Sequence, residues 1–311
     1  MLYEFAIEPE LLTSWDKART TLNLMGFQHA RAISAYPSRK RWKKMIFEAC
    51  RKAGCADREF ARIREKVQQS DAKLVWAGSP EEYDGSLKPQ DECWIRNATD
   101  RQIKRKAFHA ILATRNPSGH PDVVLEADVD ESHAKLGVAR ELPVLRQPKP
   151  LAGHIEKLVR NSRVLLLIDP HFDPSLYRWR PVIQACVALA AKGVEDRPLE
   201  RVEIHTLDAD GKCSFEEFRS RCAKHIPGLL CDGLPPVRVC RWRLRESAPD
   251  DFHERYVLTD RGGYKLGKGL DEEFGKEQPV ALLSEAEHAR IWTGFQDETP
   301  FFEKDGEITI P

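Results

Sequence analysis

Between residues 38 and 70 apolar side chains recur at helical spacing. In "SRKRWKKMIFEACRKAG" Trp42, Met45, Ile46 and Ala49 share one face, and in "ADREFARIREKVQQS" Phe60, Ile63 and Val67 do the same. This periodicity predicts two amphipathic helices broken at Gly54. The stretch "RQIKRKAFHAILATRN" (101–116) contains a short apolar run compatible with a strand or a helix. Residues 75–92 and 116–122 read as loops from their proline and glycine punctuation. "ELPVLRQPKPLAG" (141–153), with Pro143, Pro148 and Pro150, reads as a linker, which divides the chain into domains 1–148 and 149–311. After it the pattern becomes regular. "RVLLLIDPHF" is a continuous apolar run that predicts a buried strand with polar residues at its carboxyl end. A helix follows from Tyr177 to Gly193, with Pro181 in its first turn. "RVEIHTLD" and "VRVCRWRL" read as further strands, separated by a helix that Ser214 opens with Glu217 in capping-box spacing. A hairpin across Arg261-Gly262-Gly263, a strand "PVALLS" and a closing helix "EAEHARIWTGFQ" complete the chain. Alternating strands and helices predict an α/β fold with a layered sheet in the second half, after a mixed α+β first half.

Composition adds limits. With 311 residues, 41% hydrophobic and 32% charged, the chain can bury one or two cores. No run of about 18 apolar residues occurs, so no transmembrane segment is expected. The start "MLYEFAIEPELLTSW" lacks the features of a signal peptide, and a cytoplasmic location is expected. The eight cysteines contain no C-x-x-C pair, and "CRKAGC" (Cys50 to Cys55) just misses zinc-ligand spacing, so neither a metal nor a cofactor is expected. A formal net charge of zero hides local asymmetry. Arg39, Lys40, Arg41, Lys43 and Lys44 load the first predicted helix, Arg101, Lys104, Arg105 and Lys106 form a second basic cluster, and Arg241 and Arg243 flank Trp242. Each is either a solvated face or an electrostatic track for nucleic acid or an anionic lipid surface.

The candidate chemistry lies in "FHERYVLTDRGGYKLGKGLDEEF" (252–274). On an extended strand His253, Arg255 and Val257 project from one side, so an imidazole stands one pleat from a guanidinium. Such a pair can bring a ring nitrogen to phosphorus while the guanidinium holds the phosphate oxygens. Asp260 is a candidate for orienting the histidine, Gly267 and its neighbours for letting backbone approach an anion, and Lys268 for an added cation. Asp169 and His171, at the end of the apolar strand, stand where α/β sheets gather ligand groups. His205 reads as a half-buried strand residue. A charged hairpin without chemistry is the bland alternative.

His253-x-Arg255-x-x-x-x-Asp260 followed by Gly267 resembles the phospholipase D superfamily pattern, His-x-Lys-x₄-Asp and then Gly-Ser-x-Asn. It is more similar to the phospholipase-D-like domain that follows a microtubule-interacting and trafficking domain in a eukaryotic abscission protein, and to that domain's bacterial relatives. His253-Glu254-Arg255, Gly263-Tyr264, Lys265-Leu266-Gly267-Lys268-Gly269-Leu270-Asp271 and Asp169-Pro170-His171 carry this likeness, over about residues 150 to 300. Arginine stands in the lysine position, Lys268 in the serine position and Leu270 in the asparagine position. The resemblance implies a metal-independent phosphodiesterase or nuclease with His253 as nucleophile, acting on nucleic acid, in an antiviral defence setting. With one motif, a second histidine comes from a homodimer mate or from His171. The alternative it implies is a non-catalytic module that recognises phosphate on nucleic acid or at a membrane surface; the likeness leaves the first half unassigned, and a third reading makes residues 1–148 a module that docks protein partners, with the chain a subunit of a larger complex.

Overall fold

The computed structural model describes residues 1–75, 83–86, 93–194, 197–208, 213–245, 253–296 and 302–311. The chain has two compact units, Leu2–Ala139 and Arg140–Pro311, the latter counted together with Met1.

The first unit is built on a five-stranded sheet. Its strands are β1 (Tyr3–Ile7), β2 (Arg31–Ser34), β3 (Leu74–Val75), β4 (Ala110–Ala113) and β5 (Val123–Leu125), in the order β3-β2-β1-β4-β5. Every pairing is parallel. The helices are α1 (Trp15–Leu24), α2 (Arg39–Lys52), α3 (Asp57–Gln69) and α4 (Cys93–Arg105). Ser38 caps α2 by accepting from Arg41 N, and α2 buries Trp42, Ile46 and Cys50 at successive turns. α3 buries Ile63 and Val67 in the same core. The ambiguous stretch 101–116 is both a helix end and a strand. The Gln102 side chain donates to Phe108 O and accepts from Phe108 N, which turns the chain out of α4 and into β4. The first half is thus a parallel α/β sheet rather than a mixed one. Its strands are short and apolar, as in Ala110–Ala113 with every residue buried, so they show no alternation to mark them.

The second unit carries an eight-stranded mixed sheet. Its strands are β6 (Glu141–Leu145), β7 (Val164–Ile168), β8 (Arg201–Leu207), β9 (Val237–Leu244), β10 (Arg255–Thr259), β11 (Gly262–Leu266), β12 (Glu277–Leu282) and β13 (Phe302–Ile310). Their order is β13-β9-β8-β7-β10-β11-β12-β6. β7, β8 and β9 are parallel, and β10 joins β7 antiparallel. The helices are α5 (Pro148–Arg160), α6 (Arg180–Ala191), α7 (Phe215–His225) and α8 (Glu285–Gly294). Leu166, Ile168, Tyr256 and Leu258 pack with Ile291 and Phe295 of α8 on one face of the sheet.

The linker expected at 141–153 is an edge strand followed by a helix. Pro143 sits in β6, which pairs on one side only, and Pro148 opens α5, where a missing N–H costs nothing. The division between units therefore falls at Ala139/Arg140, ahead of the expected 148/149. No helix among the described residues is long and apolar enough to cross a membrane.

Candidate functional site

Strand register gathers five of the singled-out residues at one end of the second sheet. Tyr256 pairs with Ile168, so extending the ladder by one places Arg255 across from Asp169. Arg255 pairs with Leu266 at the last rung of that ladder; His253 lies in a turn two residues before Arg255, and Lys268 in a bend two residues after Leu266. His171 follows Asp169 directly. Alternation sends Tyr256 and Leu258 toward α8, and puts Arg255 and Val257 on the opposite face with Leu167 and Asp169. His253, His171 and Lys268 are exposed, and Arg255 is half-buried.

The turn after β11 is held from inside. The buried Gln278 accepts through Oε1 from Lys268 N (2.9 Å) and Gly269 N (3.0 Å), and donates through Nε2 to Gly269 O (3.0 Å). Asp169 is buried too. Its Oδ2 accepts from Leu270 N (2.9 Å) and Trp179 Nε1 (3.3 Å), and its Oδ1 from His171 N (2.9 Å). Gly267 N donates to Pro279 O (2.9 Å). The amides of residues 267 to 270 thus all have partners, and this turn is not an open anion nest. Gly267 serves packing, because a Cβ there would meet Pro279 Cγ at 2.6 Å. Asp169 is likewise a clamp on the turn, not a phosphate ligand.

Asp260 is not beside His253. It lies at the far end of β10, roughly 20 Å away along an extended strand, where Oδ1 accepts from Arg163 N (2.9 Å) and Val164 N (3.3 Å). It fastens the start of β7.

The cations at the Asp169 end divide by partner. Lys265 pairs with Glu254 at 2.8 Å. The buried Arg146 binds Asp271 (2.5 Å) and Glu273, and Arg178 lies 3.8 Å from Asp271. Arg255 has no such partner. Its Nε is buried without a hydrogen bond, and among the described residues no carboxylate pairs with it. The Lys268 ammonium is also unpaired among the described residues. A half-buried guanidinium left unpaired is unfavourable, and an anion would relieve it.

Two other cationic groups differ from expectation. Arg241 is buried, binds Asp305 (2.5 Å) and Asp208 (3.5 Å), donates to Cys213 O, and lines a partly open cavity of about 200 Å³ with Phe172, Phe218 and Arg221. Arg243 is exposed but paired with the same two aspartates. Neither is free for a nucleic-acid backbone. On α2, Arg39 (2.8 Å) and Lys43 both bind Asp71. Burial alone would raise the Asp71 carboxyl, but hydrogen bonds from Arg39 and Lys43 outweigh it and hold the group below its ordinary value. Arg41 lies over the Tyr83 ring at 4.3 Å, and Lys44 is 3.7 Å from Glu48. Lys40 is exposed.

His205 is fully buried. Trp242 Nε1 donates to its Nδ1 (2.9 Å), so Nε2 carries the proton and faces Glu203 Oε2 at 3.1 Å. Burial pushes its pKa down against the pull of Glu203, and the ring stacks on Trp242. In the first unit, Glu8 ends β1 beside β4, where the strand order reverses. It is buried, accepts from Thr114 N (2.6 Å) and Oγ1 (2.7 Å), and burial raises its pKa. Sequence periodicity marks none of Glu8, Arg146 and Gln278; Glu8 and Arg146 find their partners more than 100 positions away, and Gln278 holds the turn nine and ten positions before it.

No family model matches the chain, and no curated protein does. Among solved structures the chain is similar to TrmBL2, described as an archaeal chromatin protein with a novel mode of DNA binding, at 12% identity and a TM-score of 0.26, over 84% of this chain and 81% of that one.

Proposed function

We propose that residues 140–311 form a phosphate-recognising module for nucleic acid, with Arg255 as its central anchor and Lys268 as a second cation. The observation that carries this reading is the half-buried Arg255, whose guanidinium has no carboxylate partner among the described residues, at the sheet end that also bears Lys268. A guanidinium offers a planar fork of donors that fits phosphate oxygens. The likeness to phospholipase-D-like domains supports the same end of the sheet. Binding is favoured over cleavage because Asp260 is engaged elsewhere and the turn amides are spent on Gln278 and Asp169.

A second reading, metal-independent phosphodiester cleavage, draws on the two exposed histidines at that end. In it a His253 ring nitrogen attacks phosphorus, the P–O bond to the leaving strand breaks, and a second histidine protonates the departing oxygen. His171, or His253 of a second copy in a homodimer, supplies that proton. Water then hydrolyses the phosphohistidine. An antiviral role, and docking of protein partners through residues 1–148, belong to this proposal as its setting.

Fluorescence anisotropy on labelled DNA and RNA, with cleavage followed in EDTA, tests both readings. Arg255→Ala is expected to weaken binding about 10- to 100-fold, the range of hydrogen bonds to charged groups. Unchanged affinity in a folded Arg255→Ala protein would remove the anchor. Cleavage that His253→Ala abolishes, with affinity kept, would favour the enzyme.

A further inference from the structure

Two loops meet around Asp169, and each exposes an aromatic ring. The loop after β7 carries Tyr177, 70% exposed, beside Leu176 at 47%, and the loop between β11 and β12 carries Phe274, 87% exposed. The loops are tied together. Glu272 N donates to Arg178 O (2.7 Å), and Trp179 Nε1 and Leu270 N share Asp169 Oδ2. Tyr177 is thus one residue, and Phe274 two residues, from the bond that joins the loops. The same pair of loops contains Lys268 and borders Arg255.

We propose that the nucleic acid recognised here is a single strand, with Tyr177 and Phe274 as the surfaces on which its bases stack. This rests on the reading of Arg255 as the phosphate anchor. Neither ring packs in a core, so both ring faces are open to a stacking partner. Rings beside unpaired cations are what an unstacked strand requires: phosphates meet Arg255 and Lys268, and base faces meet the rings. A duplex keeps its base faces stacked internally and offers nothing to Tyr177 or Phe274. A membrane surface fits less well, because Glu272 and Glu273 flank Phe274 and would be drawn toward the headgroups with it. A strand lying across the rings leaves those carboxylates in water.

The experiment is anisotropy with a labelled oligothymidylate, an abasic oligonucleotide of equal length and a blunt duplex, together with sedimentation on vesicles containing phosphatidylserine. Tyr177→Ala and Phe274→Ala remove exposed side chains, so both variants should fold. Each is expected to lower affinity for oligothymidylate about 10-fold while leaving the abasic strand and the duplex unchanged. Equal binding of oligothymidylate and abasic strand by the wild type would overturn the stacking proposal, as would ring variants without effect on oligothymidylate. Vesicle binding that depends on Phe274, without strand binding, would replace it with a membrane role. If the ring variants act as expected and Arg255→Ala does nothing, the stacking surface stands and the anchor assignment fails. If no oligonucleotide binds, both fall.

Discussion

Arg241 and Arg255 are both strand arginines of one sheet, yet their surroundings are opposite. Arg241, on β9, is enclosed by Asp305, Asp208 and the Cys213 carbonyl, with the rings of Phe215 and Phe218 at 5.3 Å. Arg255, at the start of β10, keeps a buried Nε without a hydrogen bond. The first is spent on the fold, and the second has no carboxylate partner among the described residues. Positive charge in a sequence therefore does not say which cations stay unpaired, and the position of the nearest carboxylate does.

The contrast breaks most readily through stability. Arg241→Met strips Asp305 and Asp208 of their buried partner and is expected to cost about 3 kcal/mol, read from urea denaturation. Arg255→Ala should cost less than about 1 kcal/mol while losing affinity. Equal destabilisation by the two variants would erase the distinction. Next come the residues that hold the turn beside Arg255. Asp169→Ala and Gln278→Ala each orphan buried N–H groups and are expected to cost about 2 kcal/mol, with lost binding following from a disordered turn. Full stability in both variants would show that the turn needs neither.

A smaller effect sharpens the comparison on the Arg241 side, where His205 stacks on the neighbouring Trp242. Its folded pKa lies below the ordinary value of 6.5, with burial as the largest cause. The unfolded chain then binds more protons than the folded one as pH falls below 6.5, so stability should decline from there toward the folded pKa. His154, His225 and His288 are lowered as well and contribute with the same sign. Urea midpoints measured against pH should show a shallower decline for His205→Gln than for the wild type. An unchanged decline would assign the effect to the other three histidines.

The smallest expected effect is in salt dependence. Lys268→Glu should reduce the log-affinity against log-salt slope by about 0.7 on single strands. Arg39→Gln and Lys43→Gln should change it little, because both cations are already engaged by Asp71. A large change from the α2 variants would move the nucleic-acid surface to the first unit.

Much of the second unit was legible from pattern. The apolar run ending at Asp169, the Ser214 helix start, the closing helix from Glu285 and the hairpin across Gly262 all depend on neighbours within a few residues, and each appears as an element. The prolines of 141–153 misled because proline marks an edge strand and a helix start as readily as a linker. Within the site, the spacing of His253 and Arg255 sufficed to place both at one end of β10. The same spacing could not say that Asp260, at the other end, would serve β7 instead.

What the sequence determined by itself was therefore local: period, caps, turns and the face on which a side chain stands. These follow from backbone geometry and need no distant partner. Tertiary structure alone decided which charges remained available. Asp305 reaches Arg241 across 64 positions and Asp169 reaches Leu270 across 101, while Arg255 meets no carboxylate at all among the described residues. The free energy of a buried charge depends on what lies within a few ångströms of it, and sheet order sets those distances with no regard to separation along the chain.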